Sequence, residues 1–245
     1  MKYGLASVTF RGRGWREVLA VARGCGLGGV EWGGDIHVPP GEALLAREVS
    51  QATADAGLAV LSYGSYYRLG GGEPFGPVLE TALALRAGTV RVWAGAKGSA
   101  QYTAGEREQA ISDARAVAGM AAAHGVTVAF EYHPNTLTDT AASALALLAA
   151  AGRGVRTYWQ PNPRLTHGQN LNALAAVLPW LENVHVFHWA PEGARLPLED
   201  GAPQWQAYLE LAEGHARAAL LEFVRGDDPA QCARDAACLT RLRTL

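Results

Sequence analysis

Short runs of β-branched and aromatic residues recur along the chain, separated by alanine- and leucine-rich stretches whose apolar positions repeat with helical spacing. Buried strands give the first pattern and amphipathic helices the second, so their alternation is the sequence form of repeated βα units. Eight units can be drawn, with strands over 3–10, 29–32, 59–63, 89–93, 127–132, 155–159, 184–188 and 219–223. Helices are predicted near 15–23, 41–56, 75–86, 106–124, 140–151, 170–181, 204–213 and 229–242. Gly26, Gly57, Gly88, Gly125, Gly152 and Gly214 stand where a left-handed residue would end a helix and turn the chain into the next strand. The loops that leave the strands are longer and richer in polar and aromatic groups. Short loops at one end and elaborate ones at the other predict an α/β fold, a (β/α)8 TIM barrel over residues 1–245 as one domain. A doubly wound open sheet usually carries a glycine-rich turn after its first strand, and the RGRGW segment around Gly12 and Gly14 is too short a match. In a barrel, function lies where strands end and βα loops begin.

Composition narrows the class without changing this picture. The 21 basic and 23 acidic side chains leave a formal charge of -2, which lacks the positive field that non-specific nucleic-acid binding needs. No apolar run is long enough to cross a bilayer and the first ten residues lack a secretory h-region, so a cytoplasmic location with no membrane partner is expected. Cys25, Cys232 and Cys238 fall in apolar helical stretches without metal spacing and read as reduced, buried thiols. The loop 68–74, with Gly70, Gly71 and Gly72 in a row, reads equally as a lid or as a slack connection.

At the predicted strand ends stand Glu31, Tyr63, Arg91, Glu131, Gln160, His185 and Glu222. Alternate residues of a strand share a face, so Glu131 points with Ala129 and Thr127 into the barrel mouth while Val128 and Phe130 face the helices. The same parity aims Asn183 and His185 inward, and a register error of one would substitute His188 for His185. Glu222 ends the apolar run AALL. A carboxylate at the end of a buried strand must be paired, hydrogen-bonded or bound to a cation, because leaving it bare is too costly. Glu31 can either touch substrate or pair with Arg91. Trp32, Trp93, Trp159 and Trp189 lie at or beside strand ends, where one or two of them are expected to give a pocket flat apolar faces, and Tyr63, Tyr66 and Tyr67 admit the same reading.

The segments FEYHPNTLTDT from Phe130, NVHVFHW from Asn183 and LLEFV from Leu220 together resemble the xylose-isomerase-like barrels, a family that includes sugar isomerases and epimerases, inosose dehydratases and, more distantly, abasic-site endonucleases. The resemblance spans essentially the whole chain and rests on the joint order of the segments. It implies one divalent ion, Mn²⁺, Mg²⁺, Co²⁺ or Zn²⁺, held by Glu131, Gln160, His185 and Glu222, with the two glutamates also serving as acid and base. Gln160 stands in TYWQPNP where the family usually has aspartate, and Pro163 replaces a common histidine. A glutamine ligates through its carbonyl oxygen but adds no charge, so affinity for the ion falls.

These residues suit proton abstraction next to a polarised carbonyl, giving an enediolate. Return of the proton to the opposite face is epimerisation, its return to the neighbouring carbon is isomerisation, and loss of a β-hydroxyl is dehydration. The expected activity is a sugar isomerase or epimerase acting on a small sugar or polyol-derived ketone; the alternatives are an inosose-dehydratase-like lyase and a non-catalytic carbohydrate-binding barrel. Glu31, Trp32, Tyr63, Arg91, Trp93, His133, His188 and Arg225 are the candidate substrate contacts. Arg225 is followed by Asp227 and Asp228, which argues against a phosphorylated substrate. An abasic-site nuclease would need a multinuclear zinc cluster and a basic face. Barrels of this kind often associate, so a homo-oligomer is allowed.

Overall fold

Eight parallel strands close into a barrel in the computed structural model, which describes residues 1–242. They are β1 (Lys2–Ala6), β2 (Gly29–Gly33), β3 (Ala59–Arg68), β4 (Thr89–Trp93), β5 (Thr127–Phe130), β6 (Val155–Trp159), β7 (Leu181–Val186) and, after a two-stranded ribbon of β8 (His188–Trp189) and β9 (Arg195–Leu196), β10 (Ala218–Leu221). Each barrel strand pairs with its sequence neighbours, and β10 closes on β1 with Leu220 opposite Gly4. The outer ring is α1 (Trp15–Gly24), α2 (Ala43–Asp55), α3 (Gly76–Ala84), α4 (Ala104–Ala122), α5 (Ala141–Ala151), α6 (His167–Val177), α7 (Ala202–Ala212) and α8 (Pro229–Leu242).

Alternation divides the strands as the sequence pattern predicts. Outward residues such as Val30, Val92, Val128, Phe130, Val184 and Leu221 join the large core beneath the helices. Inward, Leu61, Ala129, Tyr158, Ala218 and Leu220 pack as a separate plug inside the barrel. Two glycines make room for it. A Cβ on Gly4 would lie 2.2 Å from Leu61 Cδ1, and one on Gly29 would lie 2.3 Å from the Ala59 carbonyl oxygen, a backbone atom that cannot swing aside. Below the plug the buried carboxylate of Glu182 accepts from Thr89 Oγ1 at 2.7 Å and meets Arg156 and Arg217 at 3.5 and 3.3 Å.

Some boundaries move for local reasons. The first strand stops at Ala6 rather than reaching residue 10, because Ser7 Oγ accepts from the Gly33 amide and Ser7–Phe10 coil into a buried 3-10 turn. Helix α6 begins at His167, earlier than expected, where Thr166 and Gln169 form a reciprocal cap. Arg86 at φ 59°, not Gly88, supplies the left-handed turn after α3, whereas Gly26, Gly57, Gly125, Gly152 and Gly214 have positive φ as expected. Strand β3 runs on to Arg68, and the glycine loop after it is anchored: Leu69 bonds the Trp93 carbonyl, and Asp113 accepts from both Gly70 N and Tyr67 Oη. That pinning is a connection rather than a lid. All three cysteines are free, Cys232 and Cys238 being buried. Among the described residues no helix is long and apolar enough to cross a membrane.

Gly29→Ala is expected to destabilise the protein by about 1–3 kcal/mol through forced overpacking, whereas Gly12→Ala, with nothing within 4 Å of the added carbon, should change little. Urea unfolding of the two variants measures the contrast, and equal midpoints would contradict the packing account.

Candidate active site

Strand ends deliver charge to the upper barrel in one layer. Glu131 and Glu222 follow β5 and β10 by one residue, yet both remain in the ladder, through Glu131 N to the Val92 carbonyl at 3.0 Å and Glu222 N to the Val186 carbonyl at 2.9 Å. Next to Glu222, Phe223 carries φ 50°, an uncommon left-handed setting for a bulky residue, and its amide donates to Thr9 Oγ1 at 3.1 Å. That turn closes the strand and sends the Phe223 ring toward the pocket.

The buried guanidinium of Arg91 bridges two carboxylates, Glu31 Oε1 at 3.3 Å and Glu131 Oε2 in a short contact. Beyond it lies His185, with no exposed surface. Its Nε2 meets Glu31 Oε1 at 3.3 Å, while Nδ1 faces Gln160 Oε1 at 3.0 Å, Glu222 Oε2 at 3.5 Å and Glu131 Oε1 at 3.8 Å. Each carboxylate therefore has a division of labour: Glu31 and the Oε2 atom of Glu131 are taken by Arg91, and the Oε1 atom of Glu131 and Glu222 converge on the imidazole. Ligand atoms of Glu131, His185 and Glu222 all lie within 4.8 Å of one another.

Protonation follows from this packing. Burial would raise the Glu31 carboxyl, but Arg91, His185 and Ser62 outweigh it and hold it at about 2. For Glu222 burial prevails: with Glu131 it pushes the carboxyl up to about 7, against the opposing pull of His185 and Arg91. Burial acts to lower His185, yet Glu222 and Glu31 raise it above its ordinary value. Three buried carboxylates here share one guanidinium and one imidazole, and a divalent cation would offset their negative charge once all three are ionised. The donor set fits such an ion: two carboxylate oxygens, Gln160 Oε1 and His185 Nδ1 face one another, and the far imidazole nitrogen is steadied by Glu31, the arrangement that orients metal-binding histidines.

Above this layer opens a pocket of about 380 Å³. Its lining brings together Arg91, Trp93, Glu131, His133, Gln160 and Glu222 from the predicted set. Five predicted contacts do not line it. Trp32 is buried and donates to Thr53 Oγ1 on α2 at 3.2 Å, because it neighbours the inward Glu31 and so faces outward. Tyr63 is likewise on the outer face of its strand, donating to the Val38 carbonyl at 2.9 Å. His188 belongs to the β8–β9 ribbon and lines a separate cavity of about 160 Å³ beside α7, so His185 holds the inward position. Arg225 turns to Gln231 at 3.4 Å. Glu31 lies beneath the pocket as a partner of Arg91 and His185 and does not line it.

Sequence reading assigned no pocket role to Arg11, Phe187 or Phe223, which the structure adds to the lining. Tyr66, noted only within a tyrosine triplet, reaches the pocket because β3 extends past it and stacks on Trp93 at 6.0 Å. Of the four strand-end tryptophans, Trp93 and Trp189 reach the pocket, while Trp159 packs on Tyr208 at 5.0 Å.

With chelator present, stability is expected to fall as pH rises from about 4.5 to about 7, since the folded chain keeps a proton on Glu222 that the unfolded chain releases. His185, also raised, adds to the loss in the same direction above its ordinary 6.5. Glu222→Gln should flatten the lower part of that slope in thermal unfolding measured across the range; an unchanged slope would remove the proton from Glu222.

The comparisons agree with this fold. A family model described as the xylose isomerase-like TIM barrel matches residues 19–212. A 3-dehydroshikimate dehydratase of Bacillus anthracis is 25% identical over 207 residues, covering 76% of this chain and 71% of that protein. Among solved structures, the probable 3-DHS dehydratase AsbF from Bacillus anthracis superposes with a TM-score of 0.80 at 20% identity, covering 98% of this chain and 99% of the other. A D-allulose 3-epimerase from Methylomonas sp. gives 0.72 at 15% identity, with 99% and 98% covered. The chain belongs to the xylose isomerase-like TIM barrel family.

Proposed function

We propose that this barrel is a lyase that removes water from a small cyclic or open-chain hydroxy-ketone by abstracting the proton next to the carbonyl. The observation that carries the reading is the inequality of the two glutamates. Glu131 gives Oε2 to Arg91, whereas Glu222 has no guanidinium partner among the described residues and faces His185 at 3.5 Å, so its carboxyl is the one left to take and return a proton. One mobile proton serves an elimination: the base takes the α-hydrogen, the electron pair passes into the carbonyl system, and the β carbon–oxygen bond breaks with the hydroxyl leaving as water. The proton that the leaving hydroxyl needs is the one Glu222 has just acquired. The 25% identical dehydratase supports the same chemistry.

Glu131, Gln160, His185 and Glu222 would hold a divalent ion whose Lewis acidity polarises the substrate carbonyl and acidifies the adjacent C–H. Arg91 fixes Glu131 by holding its Oε2 atom, which leaves Oε1 facing the imidazole. Trp93, Trp189, Phe187 and Phe223 supply flat faces to the substrate carbon skeleton and exclude water from the carboxyl pair.

Isomerisation or epimerisation of a ketose is the second reading. It is favoured by the approach of both Glu131 and Glu222 to His185 Nδ1, which sets two carboxylates at one point, and it agrees with the epimerase fold likeness.

The deciding assay incubates metal-loaded enzyme with 3-dehydroshikimate and a ketose panel, following water loss by ultraviolet absorbance and carbon-bound deuterium uptake by NMR. The lyase reading expects a conjugated product, whereas deuterated epimer or aldose without water loss would replace it with the second reading. Glu222→Gln is expected to lower kcat at least about 1,000-fold with the fold intact, and chelation should abolish turnover reversibly. Near-normal rates in either case would refute the assignment.

A further inference from the structure

Two guanidiniums flank one phenol ring on the β1–β4 side of the pocket: Arg11 Cζ and Arg91 Cζ each lie 5.7 Å from the Tyr66 ring centroid. Their circumstances differ. Arg91 is buried and shared by two carboxylates, so its charge is spent within the protein. Arg11 lines the pocket with its side chain 44% exposed and, among the described residues, pairs with one carboxylate, that of Asp35, and donates to the Tyr66 hydroxyl. These contacts use one terminal nitrogen each, which leaves a forked guanidinium donors to spare. The opposite wall, from Phe187, Trp189, Phe223, Pro161 and Pro163, carries no charge.

We infer that Arg11 is a specificity residue that receives a carboxylate of the substrate, so that the substrate is a hydroxy-keto acid rather than a neutral sugar. The inference rests on the enediolate reading of the same site and extends it to the end of the substrate remote from the reacting carbons. Arg11 follows a turn whose four residues are all buried, and that turn is tied down by Ser7, which bonds the Gly33 amide at 2.8 Å and the His37 ring at 2.9 Å. The guanidinium is therefore presented from a rigid base, one phenol ring from Arg91 and hence near the carboxyl layer. A planar carboxylate matches its fork. A phosphate would call on further cations, and the arginines near β10, Arg195 and Arg225, do not line the pocket. Asp35 moderates the charge of Arg11, holding it in place until a substrate acid shares it.

The test is equilibrium binding by calorimetry to the metal-loaded protein, with quinate and its primary carboxamide as non-reacting probes that differ only in the acid. Wild type is expected to bind quinate about 10- to 100-fold more tightly than the carboxamide. Arg11→Gln should remove that preference while leaving carboxamide affinity within about twofold, and Asp35→Asn should tighten quinate. Failure of quinate to bind at millimolar concentration, equal affinity for the two probes, or a preference that survives Arg11→Gln overturns the inference. So does displacement of quinate by equimolar inorganic phosphate. Because binding needs no turnover, loss of the acid preference and failure of the dehydration assay are separate results.

Discussion

The buried ion pair between Arg91 and Glu131, extended through Glu31 to His185, is the constraint on which the upper barrel depends. Removing four charged or titratable groups from water is costly, and it is tolerated only because each has a partner within about hydrogen-bond reach. The pairing also sets orientation. With Glu31 holding Nε2 of the imidazole and Arg91 holding one oxygen of Glu131, the remaining lone pairs have only one direction in which to converge. The site is thus shaped by groups that do not themselves need to meet the substrate.

Burial makes the same layer chemically uneven. Identical side chains at the ends of β2 and β10 are driven to opposite ends of the carboxyl range, Glu31 to about 2 and Glu222 to about 7, by their different shares of Arg91 and His185. Gln160, where the family resemblance leads one to expect aspartate, keeps its Oε1 at 3.0 Å from the imidazole and so presents a neutral oxygen at that position.

The pocket above is asymmetric in a second sense, with guanidiniums on the β1–β4 side and aromatic faces on the other. Such a lining suits a small molecule that has a flat carbon face and an anionic end. Members of one barrel family can share a metal-binding floor and differ in substrate through the loops, because the strands anchor the former and the βα connections supply the latter.

The segments around Glu131, His185 and Glu222 carried the family resemblance, while periodicity determined the eight βα units and the inward parity of Glu131 and His185, because side-chain direction along a strand is a local property of the backbone. It did not determine which strand-end aromatics reach the pocket. Trp32 and Tyr63 share the apolar character of Trp93, yet where β2 and β3 pair across an irregularity beside Glu31 they face α2 and the Val38 loop. Arg11 was invisible for a similar reason: its pocket position comes from a 3-10 turn closed by Ser7 and Gly33, residues of two different strand ends. The pairing of Arg91 with Glu31 and Glu131 joins side chains 60 and 40 positions apart, and the proton affinities of Glu31 and Glu222 depend on burial and charge at those distances, quantities that exist only once the barrel has closed.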